Sequence, residues 1–262
     1  MAISFLGWAT RATESSAPSK AHSHEHIVLE DVAARWPAHP NILTPPGAHH
    51  ASGFAPSGPT MNFIQTPEQL QALFGEPSLN ALRKEADHLH PVYQKWIDAS
   101  GFAVLATVGP TGLDTSPRGD PAPLVRIVDD RTIVLPERKG NNRIDSLRNV
   151  LHDPRVSLIF LVPGVDETLR VNGRARITAD ADLMRSLAIK DQPPTCALWI
   201  HVEQVFFQCG KSMMRSGLWE PRPAEALQPP SAGEMSAALS RGEVDATLYD
   251  QEKLQRLRSA MY

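Results

Sequence analysis

Between Phe102 and Gln208 the sequence is a series of short apolar runs cut by tight turns, and that pattern leaves few folds open. Strands are expected at Phe102 to Val108, Ala122 to Val128, Thr132 to Leu135, Val156 to Val162, Thr168 to Thr178 and Ala197 to Gln208. GPTG, DDR and PGVDE separate several of them. Connections that short join neighbours antiparallel, because parallel strands need a long crossover. The run LRVNGRARIT alternates: Leu169, Val171, Ala175 and Ile177 point one way, and Arg170, Asn172, Arg174 and Arg176 the other. One face belongs to a core and the other is basic. The expected class is mainly β with flanking helices (α+β), with six strands in an antiparallel barrel or sandwich.

Helices are expected around this β region. Thr66-Pro67-Glu68-Gln69 reads as a helix start, with Thr as N-cap, Pro at the first helical position and Gln at the capping-box position; Gly75 ends it. A second helix after Ser78 carries Leu82, Leu89, Val92 and Trp96 and bends at Pro91. Asn142 to His152 puts Ile144, Leu147 and Leu151 on one stripe before Pro154, and Asp180 to Ile189 forms another helix. After Trp219 a Pro-rich stretch leads to two weakly amphipathic patches. The organisation that follows is an extended N-terminal segment at 1–60, a β domain at 61–220 and a helical tail at 221–262.

The charge balance limits the choice of partners. Lys plus Arg number 26 against 29 Asp plus Glu, a net charge of -3. This gives no general attraction to nucleic acid or an anionic membrane surface, so any basic cluster acts locally. No run approaches the roughly 18 apolar residues of a membrane span. MAISFLGWATRATESS lacks the basic start and long apolar core of a secretion signal, so a cytoplasmic location is expected. Cys196 and Cys209 lack C-x-x-C spacing and are expected to be free, buried thiols. His22, His24, His26, His49 and His50 lie in the extension without supporting acidic or cysteine ligands, and no metal site is assigned to them.

The chemistry concentrates in ERKGNNRIDSLRN, Glu137 to Asn149, where an apolar strand meets a helix start. A helix N-terminus exposes unpaired N–H groups and the positive end of the dipole, so Asn141 and Asn142 with Lys139 and Arg143 describe an anion seat. The alternative is that Asn141 or Asn142 caps the helix while the cations are solvated. SPRGDPAPLVR places Arg126 among apolar neighbours, where a guanidinium needs an anionic partner. Asp120 or Asp145 could be that partner, or a ligand could. CGKSMMRSGLW sets Lys211 and Arg215 on one helical face, but Val205 stands where a nucleotide-triphosphate loop requires glycine. Neither G-x-G-x-x-G after a strand nor a G-x-S-x-G elbow occurs, which disfavours the corresponding dinucleotide domains and serine hydrolases.

From about Phe63 to Trp219 the chain resembles the pyridoxamine 5′-phosphate oxidase-related flavoproteins of the FMN-binding split-barrel superfamily. The resemblance is carried by FAVLATVGPTGLDTSPRGDPAPLVRIVDD, LPERKGNNRIDSLRNVLHDPRVSLIFLVPG, ETLRVNGRARI and VFFQCGKSMMRSGLW. It implies a six-stranded split β-barrel that forms a homodimer and seats FMN at the dimer interface. A Ser-x-Lys pair grips the phosphate in such families; Asn141 and Arg143 stand at the matching positions. Arg126 corresponds to an arginine of the preceding strand, while Lys211 and Arg215 approach the flavin from the partner subunit or close the phosphate site.

The implied cofactor-binding set is Arg118, Val125, Arg126, Lys139, Asn141, Asn142, Arg143, Asn172, Arg174, Lys211 and Arg215. Arg118, Arg174 and Lys211 are the candidates for positive charge near flavin N1 and the C2 oxygen, where it stabilises the reduced anion. The implied activity is an FMN-dependent oxidoreductase using hydride transfer at flavin N5 on a small molecule, with NADH, NADPH or dioxygen as the other redox partner. A flavin- or haem-binding module without turnover is the alternative. EPRPAEALQPP after Trp219 matches only loosely the Trp and Arg segment of true pyridoxamine 5′-phosphate oxidases, so oxidation of vitamin B6 phosphates is not implied.

Overall fold

The structure, a computed structural model, describes residues 62–223 and 225–261. The extension expected at 1–60, with its six histidines, lies outside them. The chain divides into two compact units, Met1–Leu70 and Gln71–Tyr262. In the first, the described residues open the helix Pro67–Phe74, where Thr66 Oγ1 accepts from the Gln69 N–H at 3.3 Å. Gln69 Oε1 in turn accepts from the Gln65 N–H at 2.8 Å, one residue earlier than a standard capping box.

In the second unit, strands β1 (Phe102–Gly109), β2 (Gly112–Gly119), β3 (Arg126–Asp129), β4 (Thr132–Glu137), β5 (Arg155–Leu161), β6 (Thr168–Thr178) and β7 (Cys196–Gln208) form one sheet. The order is β2-β1-β5-β6-β7-β4-β3, and every neighbouring pair is antiparallel. The expected count of six is therefore corrected to seven. The addition is β2, GLDTSPRG, in which no residue is buried and Pro117 sits within the strand. The half-buried face of this edge strand is polar, at Asp114, Ser116 and Arg118, so the run carries no hydrophobic period, and proline is tolerated on an edge. Its strand character comes from pairing along its whole length with β1. The run expected at Ala122 to Val128 becomes a strand only from Arg126; Leu124 and Val125 are buried in the irregular segment before it.

One core explains the curvature of the sheet. Leu105 of β1, Leu135 of β4, Phe160 of β5, Val171 of β6 and Ile200 of β7 belong to a single buried cluster with Leu89 and Ile97. Strands far apart in sheet order reach one core only if the sheet curls. The curl brings β2, at one edge, to the end of β4, near the other. The ladders end at β2 and β3, so the described sheet is strongly curved and not closed by backbone pairing. A bulge between Asn172 and Gly173 helps bend β6 over β7. A Cβ at Gly173 would lie 2.1 Å from the His201 carbonyl oxygen, so only glycine permits this approach.

The helices differ from expectation in two places. The long helix after Ser78 is two helices, Leu79–Arg83 and Pro91–Ala99. Between them Ala86 forms a β-bridge with Val205, through N–H···O bonds of 2.9 and 2.8 Å. Pro91 starts the second helix, because proline is preset for a first turn and breaks an interior one. In the helix Asp145–His152, Ser146 and Val150 are buried with Leu147 partly so, while Ile144 and Leu151 are exposed. The buried stripe is displaced from the one expected. Asn149 fixes the helix against β1 by donating from Nδ2 to Thr107 Oγ1 at 3.0 Å.

The helix Ala181–Ser186 adds Met184 to a small cluster with Val134, Leu187 and Ala197. Beyond Trp219, the helices Ala232–Leu239 and Ala246–Ser259 form a hairpin. Asp250 latches it by accepting from the Ser231 hydroxyl and, at 2.9 Å, from the Gly233 N–H.

Candidate functional site

The end of β2, the end of β4 and the start of the helix Asp145–His152 enclose a cavity of about 650 Å³. Asp114, Ser116, Pro117, Arg118 and Asp120 line it from β2 and the turn beyond. Pro136 through Leu147 form the opposite wall, with Leu124, Thr195 and Cys196 completing it. Four cations and four carboxylates lie here: Arg118, Arg138, Lys139 and Arg143 against Asp114, Asp120, Glu137 and Asp145.

Most of this charge is already matched. Arg118 Nε donates to Glu137 Oε1 at 2.8 Å, and Arg138 Nε to Asp120 Oδ2 at 2.7 Å. The two pairs join the end of β2 and the residue just beyond it to the end of β4 and the residue just beyond it, and fasten the curled sheet. Both are mostly buried, with Arg138 and Asp120 only 16% and 5% exposed. Arg138 also donates to the Leu187 carbonyl at 3.0 Å, tying the clamp to the segment after the helix Ala181–Ser186.

The corner at residues 139–145 is built differently. The N-cap of the helix is Ile144, in left-handed conformation (φ 49, ψ 26) and without a side-chain capping bond. A β-branched residue there is strained, and such strain clusters at ligand sites. Asn142 is also left-handed (φ 59). Asn141 Oδ1 accepts from the Arg143 N–H at 3.1 Å, closing a local turn. Neither asparagine therefore caps the helix as the alternative supposed, and among the described residues no side chain accepts from its first N–H groups. Arg143 Nε donates to Asp145 Oδ2 at 2.8 Å, but the two side chains are 76% and 41% exposed. Among the described residues Lys139 has no carboxylate partner. The corner can thus receive an anion through exposed cations and uncapped N–H groups.

The expected site residues separate into groups. Arg118, Lys139, Asn141, Asn142 and Arg143 line this cavity. Val125 and Arg126 line a neighbouring cavity of about 670 Å³ that shares Asp120, Leu124, Pro136 and Arg138 with the first. The expectation for Arg126 is corrected: it is exposed and donates to Ser186 Oγ at 2.7 Å and the Ser186 carbonyl at 2.5 Å. Neutral acceptors in solvent suffice, so no anion is required. Asn172 accepts from Ser157 Oγ at 2.7 Å and donates to Gln204 at 2.5 Å, in a polar row across β5, β6 and β7. Arg174 is exposed on β6, and Lys211 and Arg215 are exposed on the helix Lys211–Ser216. None of these four lines either cavity.

Glu137, Asp120, Arg138, Asp114, Asp145 and Cys196 belong to the cavity wall, although the implied cofactor set omits them. The available signal was the complementary placement of Arg118 and Asp120 against Glu137 and Arg138, which only contact across the sheet reveals. Both cysteines are free, but Cys209 is exposed, correcting the expectation of two buried thiols. Burial pushes the Cys196 thiol pKa up, and the Glu137 carboxylate adds to the shift. Among the described residues no His, Cys, Asp or Glu side chains cluster in threes as metal ligands would. No helix among them is long and apolar enough to cross a membrane.

Residues 89–209, which contain the whole curved sheet, match the family described as pyridoxamine 5′-phosphate oxidase. This segment belongs to the pyridoxamine 5′-phosphate oxidase-related family. No curated protein matches the chain. Among solved structures it is similar to HupZ from Group A Streptococcus, at 20% identity over 43% of this chain and 88% of that one, with a TM-score of 0.36. General Stress Protein 26 from Bacillus anthracis is similar at 15% identity over 44% and 88%, TM-score 0.33. A FAD-binding protein from Mesorhizobium loti is similar at 17% identity over 47% and 96%, TM-score 0.34.

Proposed function

We propose that the chain is a cytoplasmic FMN-dependent oxidoreductase acting on a small molecule, with the FMN phosphate held at residues 139–145. The observation that carries this reading is the uncapped helix start at Ile144, beside Lys139, Asn142 and Arg143, in a cavity of about 650 Å³ within the family-matched segment. That volume lies in the usual range for cofactor sites. The donor set suits a phosphate monoester, and Pro117, Leu124, Pro136 and Leu147 offer apolar surface to a ring. Bound flavin would supply two-electron redox chemistry at its ring, while the chain supplies binding, orientation and charge.

The proposal includes a homodimer in the split-barrel arrangement, with 61–220 as the flavin domain, 1–60 as an extension and 221–262 as a tail. Lys211 and Arg215 lie away from the cavity of their own chain, and in this arrangement they would approach the flavin of the second copy. NADH, NADPH or dioxygen would be the other redox partner.

Purified protein is expected to be yellow and to release a chromophore with the mass of FMN. Arg143→Ala should weaken FMN binding about tenfold or more, the loss expected for a charge-assisted phosphate contact. Arg185→Ala, on the helix Ala181–Ser186, should not. Equal affinities for the two variants refute the phosphate assignment. A second reading, a flavin- or haem-binding module without turnover, is favoured by the pairing of Arg118, Arg138 and Arg143 with carboxylates and by the raised pKa of Cys196, which leave no evident acid or base. Anaerobic NADH or NADPH separates the readings: bleaching of the flavin band supports a reductase, and a Soret band in place of flavin supports haem.

A further inference from the structure

We propose that Asp145 is an internal anion that competes with the ligand phosphate for Arg143, so that the corner admits a dianionic phosphate monoester and turns weaker anions away. The inference rests on the phosphate reading of this corner. Asp145 is the first residue of the helix, at the positive end of the dipole where a ligand anion would sit. Its Oδ2 takes the Arg143 Nε–H at 2.8 Å, and Arg148 approaches Oδ1 at 3.8 Å. A second carboxylate, Asp114 of β2, accepts from Ser146 Oγ at 3.3 Å in the same helical turn. The chain thus places two of its own carboxylates against the start of the helix.

The Arg143–Asp145 contact spans two residues and is largely open to water, so it is weak and displaceable. The Arg138–Asp120 contact, behind it, is not. An external carboxylate offers Arg143 nothing that tethered Asp145 does not already provide. A phosphate monoester brings nearly twice the charge and three acceptor oxygens. It can take Arg143 from Asp145 and also engage Lys139 and the uncapped N–H groups.

The test compares FMN with riboflavin, which has the same ring and no phosphate, by flavin fluorescence quenching. Asp145→Asn should tighten FMN by about three- to fivefold, the scale of an exposed ion pair. Riboflavin should be unaffected, and the gain should vanish when Arg143→Ala is also present. Acetate, a weaker monoanion, should raise the melting temperature of Asp145→Asn at concentrations that leave the natural chain unmoved. Asp145→Ser serves if the asparagine variant does not fold. Unchanged or weaker FMN binding, an equal gain for riboflavin, or a gain that survives Arg143→Ala overturns the inference. If neither flavin binds the natural chain, the FMN reading fails by itself. Melting with inorganic phosphate and sulfate then decides whether Asp145 competes for anions, with no gain on substitution overturning it.

Discussion

Arg138 and Arg143 line the same cavity and carry the same charge, but Arg138 is 16% exposed and Arg143 76%. Arg138 lies where β4 meets the end of β2; it is held by Asp120 and by the Leu187 carbonyl. Arg143 stands beyond the turn, where among the described residues its guanidinium is held by its near neighbour Asp145 alone. Burial therefore divides one cationic stretch into a clamp and a seat. A guanidinium out of water must keep its partner because losing it strands charge in a poor solvent, whereas one in water can exchange partners at small cost.

Removing the clamp should have the largest effect. Arg138→Ala is expected to cost about 3 kcal/mol of unfolding free energy, because it takes the guanidinium from a buried carboxylate. Urea titration measures this, and a loss below about 1 kcal/mol would mean that the clamp and seat are energetically alike. Arg143→Ala is the reciprocal case, with an unchanged urea midpoint beside the loss of FMN affinity. A matching fall in midpoint would assign Arg143 to the scaffold.

Thiol chemistry sharpens the contrast at the cavity wall. Cys209 should react readily with an aromatic disulfide reagent at neutral pH, whereas Cys196 should react slowly and accelerate as pH rises. Burial holds the Cys196 thiol above its ordinary pKa, and the thiolate is the nucleophile. FMN should slow Cys196 further; equal rates for both cysteines would remove Cys196 from the enclosed wall.

The smallest effect extends the comparison to a third pair. Arg155 holds the Asp153 carboxyl at about 2, below its ordinary 3.8, through side-chain and backbone hydrogen bonds. The depressed value adds stability above the ordinary pKa and loses it as pH falls from about 4 to about 2. Asp153→Asn should flatten acid unfolding over that window, read by circular dichroism. An unchanged curve would show that this pair contributes no more than a solvated one.

The positions of most strands were legible because alternation between core and solvent is local, as in LRVNGRARIT of β6. GLDTSPRG was not, since its half-buried face is polar and leaves no hydrophobic period to read. The helix start after Gly140 was legible from its residue types, but its cap was misplaced. An isoleucine N-cap in left-handed conformation runs against propensity and is held by the surrounding fold. The charged residues at the site were visible individually. Arg126 shows the limit: its apolar neighbours in sequence suggested burial, yet its side chain projects to solvent and meets Ser186.

The sequence alone determined where the chain alternates, where helices begin and which stretch concentrates donors, because these depend on neighbours within a few residues. The curled sheet decided which donors remain accessible. Arg118 meets Glu137 and Arg138 meets Asp120 only because β2 and β4, far apart in strand order, are brought together around one core. Burial and pairing are long-range quantities, and they make one arginine part of the scaffold while leaving the other exposed at the cavity.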